Sequence, residues 1–203
     1  MLAGMRVALF GGTFDPPHLG HIGVARAAAD AFSLDTVLFA PVGRQPLKGD
    51  GEATTFEDRL AMTALACAAD SRFAPSSLDA PREDGEPNYT VDTLEMLRRQ
   101  MPGATVFSLA GADSFLSLPR WRDPGRLLEL AEWIVVSRPG YPFDGLAGLG
   151  LTPDQCARVH MLETVHYDIA ATSVRERLRK GEPCTELLLP AIADYIQAHR
   201  LYR

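Results

Sequence analysis

The sequence is poor in the residues that would set it apart from ordinary globular proteins. Only three of its 203 residues are cysteine, Cys67, Cys156 and Cys184, odd in number and far apart. They form no CxxC pair, so neither a disulfide framework nor a thiolate metal site is expected, and reduced thiols are the plain reading. Positive charge is not in excess: 20 Lys and Arg stand against 26 Asp and Glu, a formal net charge of −6. Non-specific nucleic-acid binding needs a basic footprint and is thereby excluded. An anionic ligand must be held by local groups and not by the overall field. Long apolar runs are missing too, and none approaches the ~18 residues of a membrane span. The run from Val7 breaks too early, at Gly11, for a signal peptide. Repeats and low-complexity segments are also lacking. The expectation is a cytoplasmic protein of one domain over 5–203, with a C-terminal helical part from about 172. Met5 is a candidate start, which would make Met1 to Gly4 an extension.

What the chain does have is concentrated at its beginning, in Arg6-Val-Ala-Leu-Phe-Gly-Gly-Thr-Phe-Asp-Pro-Pro-His-Leu-Gly-His21. Val7 to Phe10 reads as a strand buried on both faces. It ends at Gly11-Gly12, where the backbone can turn and no Cβ obstructs a ligand. Pro16-Pro17 stiffens the loop, and a helical pattern starts near His18. A glycine turn feeding a helix start favours anions, because the first N–H groups of a helix lack partners. His18 and His21, three residues apart, share one face of that helix.

The rest of the chain alternates strand and helix patterns. Leu19, Ile22, Ala25, Ala29 and Phe32 recur at helical spacing, and Asp35 to Ala40 reads as a second strand, giving a right-handed parallel β-α-β unit. Pro41 to Ala53 is a loop carrying Arg44 and Lys48. Thr55 and Asp58 open a helix through Asp70 as N-cap and N3 residue. Arg59 in its first turns opposes the helix dipole, which suggests an anionic partner. Strands are expected at Phe73–Leu78, Ala104–Ala110, Glu132–Ser137 and Ala157–Val165. Thr90 reads as the N-cap of a helix ending before Pro102-Gly103. A helix follows Asp168-Ile-Ala-Ala-Thr-Ser-Val-Arg175 and stops at Gly181, and Leu187 to His199 is the last amphipathic pattern. Together these predict a Rossmann-like α/β fold, a doubly wound parallel sheet with ligands across its carboxyl edge.

Gly-Gly-Thr-Phe-Asp-Pro-Pro-His-Leu-Gly-His resembles the HxGH signature of the nucleotidylyltransferase superfamily, in the longer form of the nicotinate-nucleotide adenylyltransferase family. The resemblance continues through Phe39-x-Pro41 with Pro46-x-Lys48, the string Tyr89-Thr90-x-Asp92-Thr93-Leu94, and Gly111-x-Asp113 followed by Leu118-Pro-x-Trp121. It reaches Thr172-Ser173-x-Arg175, similar to the superfamily's ISSTxxR. There the chain departs from the pattern, with Ala170 and Ala171 in place of both serines.

The resemblance implies adenylyl transfer from ATP to nicotinate mononucleotide, giving nicotinate adenine dinucleotide and pyrophosphate. It implies catalytic roles for His18, His21 and Arg175, and ATP contacts from Gly11, Gly12, Thr13, Phe14, His21, Gly111, Asp113, Thr172, Ser173 and Arg175. Lys48, Tyr89, Thr90, Trp121 and Arg138 would meet the mononucleotide. Mg²⁺ is expected as cofactor, held mainly by the phosphates with no protein metal site. Expected partners are the two small-molecule substrates, with no nucleic acid, no membrane, and a homo-oligomer as one possibility. No nucleophile motif is present, and direct in-line attack by the acceptor phosphate needs none.

Plainer readings stand beside these. Histidines at such spacing can be structural, or imidazolium donors to phosphate. Trp121 is either core or a platform for a pyridine ring. Asp113 is either a ribose or metal-water partner or a helix cap. Lys48 and Arg138 are either phosphate clamps or solvated cations. A helix start at Thr90 favours a carboxylate over a carboxamide by ~0.3–2 kcal/mol. The alternatives for function are transfer to nicotinamide mononucleotide or phosphopantetheine, and a nucleotide-binding regulatory module motivated by Ala170 and Ala171.

Overall fold

The computed structural model describes residues 4–44, 54–137, 144–163 and 169–203. Six strands form one sheet in the order β3-β2-β1-β4-β5-β6, and every neighbouring pair is parallel. They are β1 (Arg6–Gly12), β2 (Thr36–Pro41), β3 (Phe73–Pro75), β4 (Thr105–Gly111), β5 (Glu132–Ser137) and β6 (Val159–Glu163). The helices are α1 (Leu19–Ala31), α2 (Phe56–Cys67), α3 (Thr90–Gln100), α4 (Ala112–Leu116), α5 (Pro124–Leu130), α6 (Pro153–Cys156), α7 (Ala171–Arg179) and α8 (Pro190–Ala198), with 3₁₀ turns at Leu118–Arg120 and Asp144–Leu149. The expected doubly wound α/β sheet is the one observed.

Both faces of the sheet are covered, and the strands' two-residue period divides their side chains between two cores. Ala8, Phe10, Phe39, Phe107 and Ile134 pack on one side with Ile22 and Ala25 of α1 and Met62 of α2. Leu9, Val106, Trp133 and Val135 pack on the other with Leu94 of α3 and Leu127 of α5. Val174 of α7 and Ile192 and Ile196 of α8 lie in the first of these cores, beside Leu188 and Tyr202. The C-terminal helices thus share the core that supports β1 and α1.

Several boundaries differ from expectation. The third strand ends at Pro75, because Leu78 N–H turns back to Ser76 Oγ at 3.3 Å. Thr90 is the first residue of α3 and not its cap. Tyr89 is the cap, and its carbonyl accepts from Asp92 N–H at 3.0 Å and Thr93 N–H at 3.2 Å. By contrast Thr55 caps α2 as read, accepting from Asp58 N–H at 3.1 Å. Gly181, with φ +79°, follows α7 as its stop.

The strand order reverses between β1 and β4. In open parallel sheets that reversal opens a crevice at the carboxyl ends of the two strands. Phe10 lies opposite Leu109, so Gly11-Gly12 and Gly111 leave the sheet side by side at this crevice.

Candidate active site

The two glycines ending β1 have different reasons. Around Gly11 a Cβ would meet nothing within 4 Å, and the same is true of Gly111, so both leave open space at the crevice. A Cβ on Gly12 would press on the Phe14 ring at 3.1 Å, so this glycine serves packing within the protein. Phe14 is 1% exposed and left-handed, φ +51°. Its ring meets Phe10 edge-on at 5.4 Å and His21 at 5.0 Å between centroids. The Phe14 predicted to meet ATP therefore turns inward, beneath His21. The physical reason is burial of its apolar ring.

His18 caps α1 and is 5% exposed. Its ring stacks on His21 with centroids 3.7 Å apart. The His18 N–H donates to His21 Nδ1 at 3.2 Å, so a neutral His21 carries its proton on Nε2. Burial pushes the His18 pKa down to about 4, and burial followed by the neighbouring His18 charge holds His21 well below its ordinary value. Without ligand both rings thus favour the neutral form. Two closely stacked, desolvated rings disfavour charge on each other, so imidazolium donors would need an anion bound beside them. His18 Nδ1 is buried with no hydrogen-bond partner among the described residues.

The second signature reaches the first through Arg175. Its Nη1 donates to the Asp15 carbonyl at 2.7 Å and its Nη2 to Thr172 Oγ1 at 3.3 Å. Thr172 and Ser173 are exposed in the first turn of α7, which starts at Ala170 without a side-chain cap. Backbone N–H groups need no side chain, so the two alanines leave that donor set in place. Arg59 supports the turn after β1. Its guanidinium donates to the carbonyls of Thr13 (2.9 Å), Val42 (2.7 Å), Thr54 (3.2 Å) and Gly43 (3.4 Å). The anionic partner expected for Arg59 is replaced by these carbonyls, while the Asp15 charge acts on it without a direct ion pair.

Beyond β2 and β4 lies an aromatic side. Trp121 is half-buried, donates through Nε1 to Ser117 Oγ at 2.7 Å, and meets the buried Trp133 edge-on at 5.8 Å. Arg122, beside it, lies over the Tyr89 ring at 4.6 Å and 4.0 Å from Asp92. Trp121 and Tyr89 thus belong to one surface, with the α3 N-terminus at Thr90 next to Tyr89. Behind it the buried Asp79 accepts from Thr93 Oγ1 at 2.9 Å, and its carbonyl accepts from Gly43 N–H at 2.7 Å. Asn88 Oδ1 accepts from Arg44 N–H at 2.9 Å. A Cβ on Gly43 would fall 2.4 Å from the Pro81 backbone nitrogen, so this junction of loops requires glycine.

Asp113 is exposed in the first turn of α4, whose cap is Gly111, so the capping alternative for Asp113 falls. Lys48 and Arg138 lie outside the described residues. Among the described residues no three His, Cys, Asp or Glu are grouped to hold a metal.

Comparison with known proteins agrees with this geometry. The Cytidylyltransferase-like family model matches residues 9–177. A probable nicotinate-nucleotide adenylyltransferase of Corynebacterium kroppenstedtii is 40% identical over 97% of this chain and 90% of its own length. One from a Roseiflexus species is also 40% identical, over 97% of this chain and 98% of its own. The chain belongs to the nicotinate-nucleotide adenylyltransferase family. The nicotinic acid mononucleotide adenylyltransferase of Plasmodium falciparum, solved with NaAD, shares the fold. It has a TM-score of 0.75 at 16% identity, with 98% of this chain and 97% of that one covered.

As a member of this family the chain is a nucleotidyltransferase, and several residues that hold its site together escaped sequence reasoning. Asp15 lies inside the recognised motif, yet its buried position is set by distant partners. Arg59 was visible only as a charge on the wrong end of a helix. Asp79, Asn88 and Gly43 join loops that are far apart in sequence, and Tyr202 carries no signal at all.

The buried His18 and Asp79 make opposite contributions to stability. His18 is depressed from 6.5 to about 4, so its contribution is full above 6.5 and lost as pH falls through 4. Asp79 is raised from 3.8 to about 6, so its contribution is full below 3.8 and lost as pH rises through 6. Across its own titration window each changes stability by roughly 3 kcal/mol at most. His21 adds to the sign of His18, so stability is expected to rise with pH, with Asp79 blunting the slope. In Asp79→Asn the urea midpoint should climb more steeply between about pH 4.5 and about pH 6.5 than in the unaltered protein. A slope equal to the parent's, or shallower, would show that Asp79 is solvated.

Proposed function

We propose that the enzyme transfers the adenylyl group of ATP to nicotinate mononucleotide in NAD biosynthesis. The 5′-phosphate oxygen of the mononucleotide attacks the α-phosphorus of ATP in line. The bond from that phosphorus to the bridging oxygen breaks, pyrophosphate leaves, and nicotinate adenine dinucleotide is the product. The reading rests chiefly on Arg175, which joins the α7 start to the β1 turn and so gathers both signatures at one crevice. There Gly11 and Gly111 allow close approach of the phosphates, while His18, His21 and Arg175 provide N–H donors for the charge on the departing pyrophosphate. His21 offers its Nε2–H as a donor while neutral, and the negative field of a bound triphosphate favours protonation of His18 from solvent.

The mononucleotide is placed by Trp121 and Tyr89 against its ring, with the α3 N-terminus toward its carboxylate. Lys48 and Arg138 are proposed as phosphate contacts of the same ligand. Mg²⁺ is expected to arrive on the phosphates of ATP, with the exposed Asp113 as a candidate to meet its waters, and when bound it would neutralise phosphate charge. The protein's own part is to align two bound reactants, which supplies on the order of 7–11 kcal/mol in well-oriented systems. We infer a cytoplasmic setting, since ATP is a substrate and the three cysteines are free thiols. Among the described residues no helix is long and apolar enough to cross a membrane.

The test is pyrophosphate release with MgATP, comparing nicotinate mononucleotide with its amide. The acid should be preferred by about 2- to 30-fold in kcat/KM, the range of a helix-terminus interaction. Equal rates would overturn the carboxylate assignment at Thr90, and no release with either would overturn adenylyl transfer.

A further inference from the structure

The turn after β1 is held by residues that the reaction itself does not call for. Asp15 is 3% exposed, and its Oδ1 accepts two hydroxyls, Thr54 Oγ1 at 2.6 Å and Tyr202 OH at 2.6 Å. Its main-chain carbonyl accepts Arg175 Nη1 at 2.7 Å. The preceding residues are fixed as well, Thr13 by Arg59 and Phe14 by its buried ring. Tyr202 stands next to the last residue of the chain. It is 8% exposed, and burial followed by the Asp15 hydrogen bond raises its pKa, so its hydroxyl remains a donor. Arg200 and Tyr202 are both left-handed, φ +57° and +59°, which brings the tail back under the turn after α8 ends. A non-glycine residue in that region is uncommon and persists where its surroundings over-determine it. Leu201 N–H donates to Ile196 O at 3.0 Å and fixes the return.

The chemistry of Asp15 makes this more than a fold contact. A carboxylate beside two guanidinium groups would ordinarily pair with one of them. Here Arg59 is occupied by carbonyls, Arg175 meets the Asp15 main chain and Thr172 Oγ1, and Asp15 Oδ1 takes both hydroxyls. The Arg175 charge is left for an anion in the crevice. We propose that Tyr202 is a positioning residue for adenylyl transfer: its hydroxyl holds the Asp15 carboxylate away from Arg175, keeping that guanidinium available to the phosphates of ATP. The proposal rests on the function given above. The tail thereby acts on the phosphate end of the site and not on the ring of the acceptor.

The test is Tyr202→Phe, which deletes one oxygen and keeps the ring in the core. In steady-state assays of pyrophosphate release, kcat/KM for ATP is expected to fall about five- to tenfold, the scale of one charge-assisted hydrogen bond. KM for nicotinate mononucleotide should stay unchanged. Amide hydrogen exchange at residues 13–15, measured without substrates, should become faster, while exchange in β4 and β5 stays as in the parent. Adding Asp15→Asn to Tyr202→Phe removes the competing charge and should recover part of the lost kcat/KM for ATP. Parental kinetics in Tyr202→Phe would overturn the proposal. So would equal losses for both substrates, accompanied by faster exchange throughout the sheet, since that marks a general loosening. Absence of pyrophosphate release from the unaltered enzyme would instead sink the functional reading and the proposal with it.

Discussion

Replacing His18 with alanine is expected to lower kcat by about 10²–10³ while leaving the fold intact, the scale for losing one donor to developing charge. His18 caps α1 and stacks on His21 at 3.7 Å. The backbone part of that cap, His18 N–H to His21 Nδ1, is independent of the His18 side chain and survives the change. The substitution also removes a buried Nδ1 that has no partner among the described residues. Loss of ring packing and relief of that desolvated nitrogen oppose each other, so stability should move by no more than about 1 kcal/mol. The decisive measurements are single-turnover formation of the dinucleotide and the thermal midpoint of the same preparation. Single-turnover rates near those of the parent would remove His18 from the reaction. A large drop in the midpoint would assign it to the fold.

Arg175 should show an effect of similar size with a different pattern. Arg175→Ala is expected to reduce kcat/KM for ATP by about 10²-fold, because it removes a charged donor and also frees the Asp15 carbonyl. Arg175→Lys keeps the charge, yet an ammonium cannot span Asp15 O, Thr172 Oγ1 and a phosphate as a planar fork does. It should recover only part of the loss and remain about tenfold below the parent. Full recovery by lysine would show that a point charge suffices and that the bridge between the two signatures is incidental. An alanine variant with unchanged kcat/KM would detach α7 from the phosphate site.

Much of the fold was legible because it depends on local pattern. Val7 to Phe10 is buried on both faces as read, and Glu132 to Ser137 is the strand expected, because a parallel sheet between helix layers demands apolar residues at successive positions. Thr55 with Asp58 marked the start of α2 through a contact closed within one helical turn. Thr90 misled for the same reason. Its side-chain type signals a cap, but the chain stays extended only as far as Tyr89, whose carbonyl already accepts from Asp92 and Thr93. Short-range chemistry places a helix end to within a residue, and packing decides the residue.

Helices α5 and α6 were not legible along the chain, whereas the six strands, the helices α1, α2, α3, α7 and α8, the glycine turn at the end of β1, the position of the histidine pair and the family were. Each is a property of neighbours along the chain: periodicity, turn residues, and side chains one helical turn apart. How those groups behave depends on packing across the fold. Burial of the histidines against each other and against Phe14 lowers their pKa values, which no spacing reports. Phe14 faces the core because its apolar ring is buried there, with its backbone left-handed at the turn. Arg175 and Tyr202 meet Asp15 across 160 and 187 residues of chain, respectively. Hydrogen bonds of that range leave no periodic trace, since their partners are brought together by burial of the α7 and α8 faces in the core beneath β1.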